Sequence, residues 1–484
     1  MTKDVLQRRM RSDVALMFGN ALFVEHARPA AIREHPLASW LAVGTVCMGA
    51  FMGQLDASIV TLTFPAVQAQ FAAPLAAVEW ISLSYLVTLV GLVAGAGRVS
   101  DAYGRKLMYL YGFVVFTAAS AACALAPSLS WLIAFRVVQA VGAALLQANS
   151  VALVVTSVAR GRMREALSVQ AAAQALGLAL GPTVGGALVL AAGWQWVFWV
   201  NVPVGIVALI AGHFLLPRTR ERTPLGAFDW PGLVLLASTS TAFLLAISAV
   251  SGLGLSPVIT VSLFVLSIAL SAAFVVRELR AASPLLDLQV LRPAGVSVGL
   301  LGALAAYLVL FGPLALFPQV IAAGGAALGL AISALPAGFA LSAVGGNRWL
   351  RGADTRSRAV GGAAVAAFAI VGLLFVGQSL VAIAVLLGVL GLGLGVFIPA
   401  NNAAIMGAIP ARSAAVGGGL LNMGRGLGTA LGVALVTLCL HLGAGQGAMF
   451  ALASLLSVAV LAGVAGAVPG AARAVESPAT NAEL

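Results

Sequence analysis

The sequence predicts an all-α polytopic membrane protein with fourteen transmembrane helices, and three observations carry that prediction. First, of 484 residues 61% are hydrophobic and only 8% are charged. A soluble chain carries about a quarter charged residues, so an ordinary soluble enzyme, a disordered chain and a secreted disulfide scaffold are excluded. Second, a hydrocarbon core about 30 Å thick takes roughly 20 apolar residues per helix, and runs of that length recur along the whole chain. They lie at about 39–64, 78–98, 107–126, 131–158, 166–191, 196–217, 230–250 and 255–276. Six more lie at about 295–317, 326–345, 359–376, 380–405, 414–439 and 447–468. Third, the 26 Lys and Arg obey this count. With the N-terminus inside, all of them fall on the inner side except Arg136 and Arg425, which lie within spans. One helix more or fewer would scramble that separation, so both termini are expected in the cytoplasm.

The net charge of +11 invites a nucleic-acid reading. The basic residues sit singly or in small groups between apolar runs, so no nucleic-acid partner is expected. Cys47, Cys123 and Cys439 all fall inside apolar segments without metal or redox spacing. They read as small core residues, and no metal or cofactor is expected. The chain has no phosphate-binding glycine loop, no H-E-x-x-H and no Ser-His-Asp set, so it is not read as an enzyme.

Along the chain, residues 1–38 form an expected cytoplasmic tail. Its apolar stretch Val14 to Val24 is too short to cross, and Asp13 and Asn20 weigh against a secretory signal. The first span carries Asp56. Intramembrane carboxylates are costly and usually functional, so Asp56 is the leading protonation or substrate-coupling residue, with helix–helix hydrogen bonding as the alternative. Glu79, at the outer entrance of the second span, is either an interfacial charge or a second titrating group. Arg136 in the fourth span is costly unless paired or hydrated. It either tunes a nearby carboxyl, binds an anionic group or ties to backbone carbonyls.

The fifth span holds Gly177, Gly181 and Gly185, a spacing of four that aligns a smooth face for close helix approach. Pro182 and Gly186 interrupt the same stretch, and a proline inside a helix kinks it. The thirteenth span repeats the spacing with Gly424, Gly428 and Gly432. Asn149 in the fourth span likewise corresponds to Asn401 or Asn402 in the twelfth. Two matched halves, 39–217 and 293–470, follow if residues 218–292 with the seventh and eighth spans are an insert, leaving 471–484 as a cytoplasmic tail. Matched halves with a site between them are a transporter architecture. The notable second-half polar groups are Asn401, Asn402, Asn422 and Arg425; of these Asn401, Asn402 and Arg425 are the candidates for substrate contact, and Arg425 either touches substrate or ties the halves together.

Several of these stretches resemble the major facilitator superfamily. The loop Gly97-Arg98-Val99-Ser100-Asp101-Ala102-Tyr103-Gly104-Arg105-Lys106 is similar to its signature loop, with Ala102 where a basic residue is usual. The resemblance implies a cytoplasmic latch built on Gly97, Asp101, Gly104, Arg105 and Lys106; a plain turn in a basic loop is the alternative. Arg136 to Ala144 resembles the fourth-span motif. Gly177 to Gly186 matches the antiporter signature G-x-x-x-G-P-x-x-G-G at every fixed position. Leu55 to Pro65, Glu79-Trp80 with Tyr85, Gly193 to Gly205 and Pro284 to Leu288 resemble the fourteen-span drug:proton antiporters of the EmrB/QacA type. The resemblance implies two six-helix bundles plus a two-helix insert, in a bacterial cytoplasmic membrane. It implies export of small hydrophobic compounds in exchange for protons, by alternating access. The rival readings are an importer of the same fold and a non-transporting membrane receptor or assembly protein.

Overall fold

A computed structural model of the chain describes residues 25–467 apart from positions 26–27, 160–161, 220–228, 282–283, 285–290, 322–325, 351, 410–413 and 444. The far N-terminal stretch, the tail 471–484 and Leu285 to Leu288 lie outside the described residues.

In lipid every backbone polar group must find a partner inside the chain, and a helix does this within one segment. Among the described residues each of the fourteen apolar runs is a helix; thirteen are long and apolar enough to cross a membrane, and the tenth has a shorter apolar stretch, Ala327–Ala343. They are α1 (Ala38–Phe71), α2 (Leu75–Tyr103), α3 (Arg105–Ala124), α4 (Leu129–Ser157), α5 (Met163–Ala192), α6 (Trp196–Leu215) and α7 (Trp230–Leu253). After them come α8 (Pro257–Arg280), α9 (Ala294–Val320), α10 (Ala326–Trp349), α11 (Thr355–Phe375), α12 (Leu380–Ala408), α13 (Ala414–Leu442) and α14 (Gly447–Ala467). The first helix runs past its expected end near 64 to Phe71. Pro65 cannot donate a backbone hydrogen bond, so the chain tightens into a 3₁₀ turn over Val60–Thr63 before continuing. The Thr63 hydroxyl donates to Val60 O at 2.6 Å there. Gly104 closes α2 at φ +113°, a conformation that an L side chain rarely adopts.

The helices pack as two matched bundles. In the first, α1 packs on α4, α5 and α6, α2 on α4, and α3 on α4 and α6. Adding eight to each number gives the pairs of the second bundle: α9 with α12, α13 and α14, α10 with α12, and α11 with α12 and α14. The contacts between bundles obey the same rule, because α5 meets α10 and α13 meets α2.

The remaining pair, α7 and α8, stands outside. Helix α7 lies along the seam between α2 and α13, and α8 packs on α7. Only 6% of the apolar window of α8 is buried, against 72% for α2, so α8 keeps nearly its whole surface for lipid. The pair is pinned at one end by Asp229, which caps α7 at Gly232 N (3.0 Å) and accepts from Arg277 Nε of α8 (2.9 Å).

Where α1 begins and α14 ends defines one face of the bundle, called the terminal face below. Toward the opposite face α5 and α10 close on each other. Thr183 and Ser333 share a hydrogen bond across that contact, and Gly329 lies against the Pro182 carbonyl, where no Cβ would fit.

Candidate functional site

Asp56 sits at the centre of the first bundle with no solvent exposure. Its Oδ2 accepts from Arg136 Nη1 of α4 at 2.7 Å. Its Oδ1 accepts from Gln139 Nε2 at 3.0 Å and from Asn201 Nδ2 of α6 at 3.1 Å. Arg136 also donates through Nε to Ile81 O of α2 (2.9 Å) and through Nη1 to Gln139 Oε1 (2.6 Å). Gln139 in turn donates to Ser120 Oγ of α3 at 2.8 Å. Five helices thus converge on one ion pair. A charge in this setting is tolerable only when paired and hydrogen-bonded, and both partners here are.

The Arg136 guanidinium lies over the Tyr85 ring, 4.1 Å from its centroid. Tyr85 also borders a cavity of about 220 Å³ between the two bundles. Its floor and walls come from α1, α2, α3, α4 and α5 of the first bundle and α9 and α13 of the second. Neither Asp56 nor Arg136 lines it. Gln54, Gln147, Gln170, Gln174, Asn422 and Arg425 do, and Arg425 is the one charged residue among the lining residues. It stands beside Tyr307 of α9.

The glycine faces hold the helices around this cavity close together. Cβ atoms at Gly177, Gly181 and Gly185 of α5 would run into Phe51, Ser58 and Ile59 of α1. Gly428 and Gly432 of α13 lie equally close to Leu304 and Leu308 of α9. The long motif in α5 therefore has two faces: its three spaced glycines meet α1 inside the first bundle, while Pro182 and Gly186 meet Gly329 of the second.

Comparison with known proteins places this architecture. The family model of the Major Facilitator Superfamily matches residues 46–433. This chain belongs to that superfamily. A relative described as "Methylenomycin A resistance protein" from Bacillus subtilis (strain 168) is 31% identical over 448 residues, covering 88% of this chain and 95% of the relative. The riboflavin transporter RibZ of Clostridioides difficile (strain 630) is 28% identical over 406 residues, covering 82% and 87%. A crystal structure of the peptide transporter POT superposes with a TM-score of 0.66 at 18% identity, covering 89% and 94%, which shows the shared fold. The protein is thus a multi-pass membrane transporter of the major facilitator superfamily.

In this major facilitator chain the signature loop sits at the terminal face. Asp101 Oδ1 accepts from Arg105 Nε at 2.8 Å, one turn along the same stretch. Gly104 makes the turn between them, and a Cβ at Gly97 would meet open space. Lys106 is buried and its Nζ donates to His213 O of α6 at 2.8 Å. Glu25, from the segment before α1, accepts from Leu107 N (3.2 Å) and Thr219 N (2.7 Å).

The remaining candidates are dispersed. Glu79 is fully buried and its carboxylate accepts from the Ser248 hydroxyl of α7, which also accepts from Trp80 Nε1 at 3.1 Å. The spans therefore hold a second buried acid beyond Asp56, where sequence reading placed only one well inside. Asn401 is buried and donates to Gly299 O of α9 at 2.8 Å, a tie between α12 and α9. Neither Asn401 nor Asn402 borders the cavity. Sequence reading missed Gln139, Asn201 and the cavity glutamines, whereas Asn422 and Arg425 do border the cavity. Gln139 had a signal, since it follows Arg136 by three residues and so shares its helix face; Asn201 had none.

Proposed function

We propose that this transporter is a proton-coupled antiporter that exports small compounds from the cytoplasm across a bacterial cytoplasmic membrane. The observation that carries the reading is the buried Asp56–Arg136 pair, set behind Tyr85 beside a cavity shared by both bundles. Protonated Asp56 no longer balances Arg136, so one proton changes the charge that Tyr85 stacks upon. Substrate and proton thereby communicate through a single ring, with no bond made or broken in the substrate. The inward proton gradient supplies the work, about 2.3 kcal/mol per charge per 100 mV.

Direction follows from three supports. The segregation of Lys and Arg makes the terminal face cytoplasmic. The α5–α10 contact closes the far side, so the cavity is loaded from the cytoplasm. The antiporter signature in α5 and the resistance protein among the relatives fit an exporter. The riboflavin transporter among them keeps flavins in the panel of compounds to be tried.

Proteoliposomes carrying an imposed pH gradient give the test. Compounds loaded on the cytoplasmic side are expected to leave in exchange for protons, and Asp56→Asn is expected to bind compound while losing the pH dependence. Wild-type pH-driven exchange in Asp56→Asn would remove the coupling role from that residue.

A further inference from the structure

We propose that the cavity is built for a compact anionic guest rich in hydrogen-bonding groups, its acidic oxygens on Arg425 and its remaining polar edge on carboxamides. This rests on reading the cavity as the substrate site, and it replaces a plain hydrophobic cargo with a narrower chemical class.

Charge gives the first argument. Arg425 is the sole charged residue among those lining the cavity, and no carboxylate among the described residues pairs with it. The buried acid Asp56 spends its charge on Arg136 and is not among the lining residues. A cation entering the cavity therefore meets a guanidinium and no counter-ion, in surroundings that screen charge poorly. An anion meets a planar fork of donors matched to a carboxylate.

The amides give the second. The side chains of Gln54, Gln147, Gln174 and Asn422 border the cavity, and no hydrogen bond to another described residue occupies them. Gln170 differs, because its amide is held by Ser150. A purely apolar guest would strip water from these four amides and return nothing, which costs the desolvation of every unpaired group. A guest bearing carbonyls and N–H or O–H groups restores those bonds. Tyr85, Phe116 and Phe311 supply aromatic faces beside the amides, which suits a flat ring. The volume is small against the roughly 300–1,000 Å³ of drug-sized sites, so the guest is compact.

Three probes on one ring system separate the possibilities: 2-naphthoate, 2-naphthamide and 2-naphthylmethylammonium. Each is titrated into purified full-length protein at neutral pH, with binding read by calorimetry and by the shift in thermal midpoint. The carboxylate is expected to bind about tenfold or more tighter than the ammonium, the scale of one charge-assisted bond, with the carboxamide between. Arg425→Gln is expected to abolish the preference for the carboxylate over the carboxamide, and Arg425→Lys to keep its sign. Gln147→Leu is expected to weaken carboxylate and carboxamide alike. An ammonium that binds as tightly as the carboxylate overturns the proposal. So does an unchanged ranking in Arg425→Gln, or a carboxylate that fails to bind at millimolar concentration. Binding needs no gradient, so a vesicle assay without proton-linked export would sink the antiport reading and leave this ranking standing.

Discussion

The two bundles share a backbone plan and differ in where they keep their charge. Helix α5 lies on α1 through three spaced glycines, and α13 lies on α9 through a matching trio. At the centre of the first bundle a cation is locked to a carboxylate and shielded from the cavity. In the second bundle Arg425 borders the cavity and no carboxylate among the described residues pairs with it. Close packing is thus common to both halves, because any pair of helices that must approach closely benefits from missing side chains. The charge placement is what makes one half a candidate energy-coupling element and the other a candidate recognition element.

The sharpest break of this comparison removes each cation in turn. Arg136→Met leaves Asp56 buried without its partner, and loss of one member of a buried pair costs about 3–5 kcal/mol. Arg425→Gln leaves no buried charge stranded and is expected to cost under about 1 kcal/mol. Thermal unfolding of the two purified variants measures the contrast. Equal losses would mean that Arg425 is a structural ion after all.

Next in size is a test of the glycine seams, which match in spacing but not in tightness. A Cβ at Gly177 would collide with the Phe51 carbonyl of α1, whereas at Gly424 the nearest neighbour, Leu300 O, is 3.8 Å away. Gly177→Ala is therefore expected to cost about 1–3 kcal/mol as an overpacked contact. Gly424→Ala is expected to be neutral or to gain up to about 1 kcal/mol, since alanine favours helix. The same unfolding measurement decides, and a costly Gly424→Ala would show that the seams are equivalent.

The smallest expected effect concerns another buried acid, Glu79. Glu79 faces α7 at the edge of the first bundle and receives a hydrogen bond from Ser248. Glutamine keeps an acceptor for that hydroxyl, so Glu79→Gln is expected to change stability by less than about 1 kcal/mol. Glu79→Ala removes the acceptor and should cost more, about 1–3 kcal/mol for a buried donor left unpaired. If the glutamine variant also loses pH-driven exchange, coupling is shared between Asp56 and Glu79.

The sequence alone determined the number and order of the helices, the glycine faces of α5 and α13, and the presence of one acid and two cations deep in the spans. These are local properties: a run length, a spacing of four, a charge in an apolar stretch. Each acts within about 30 residues, so each is legible without knowing the fold. The partners of Asp56 are a different matter. They lie 80, 83 and 145 positions away, on helices brought together only by packing. The same holds for the meeting of α5 with α10, for Glu79 against Ser248, and for the amides of α1, α4, α5 and α13 around one cavity. Whether a buried cation is neutralised or left facing a cavity depends on the neighbouring helices, and tertiary structure alone decides which helices those are.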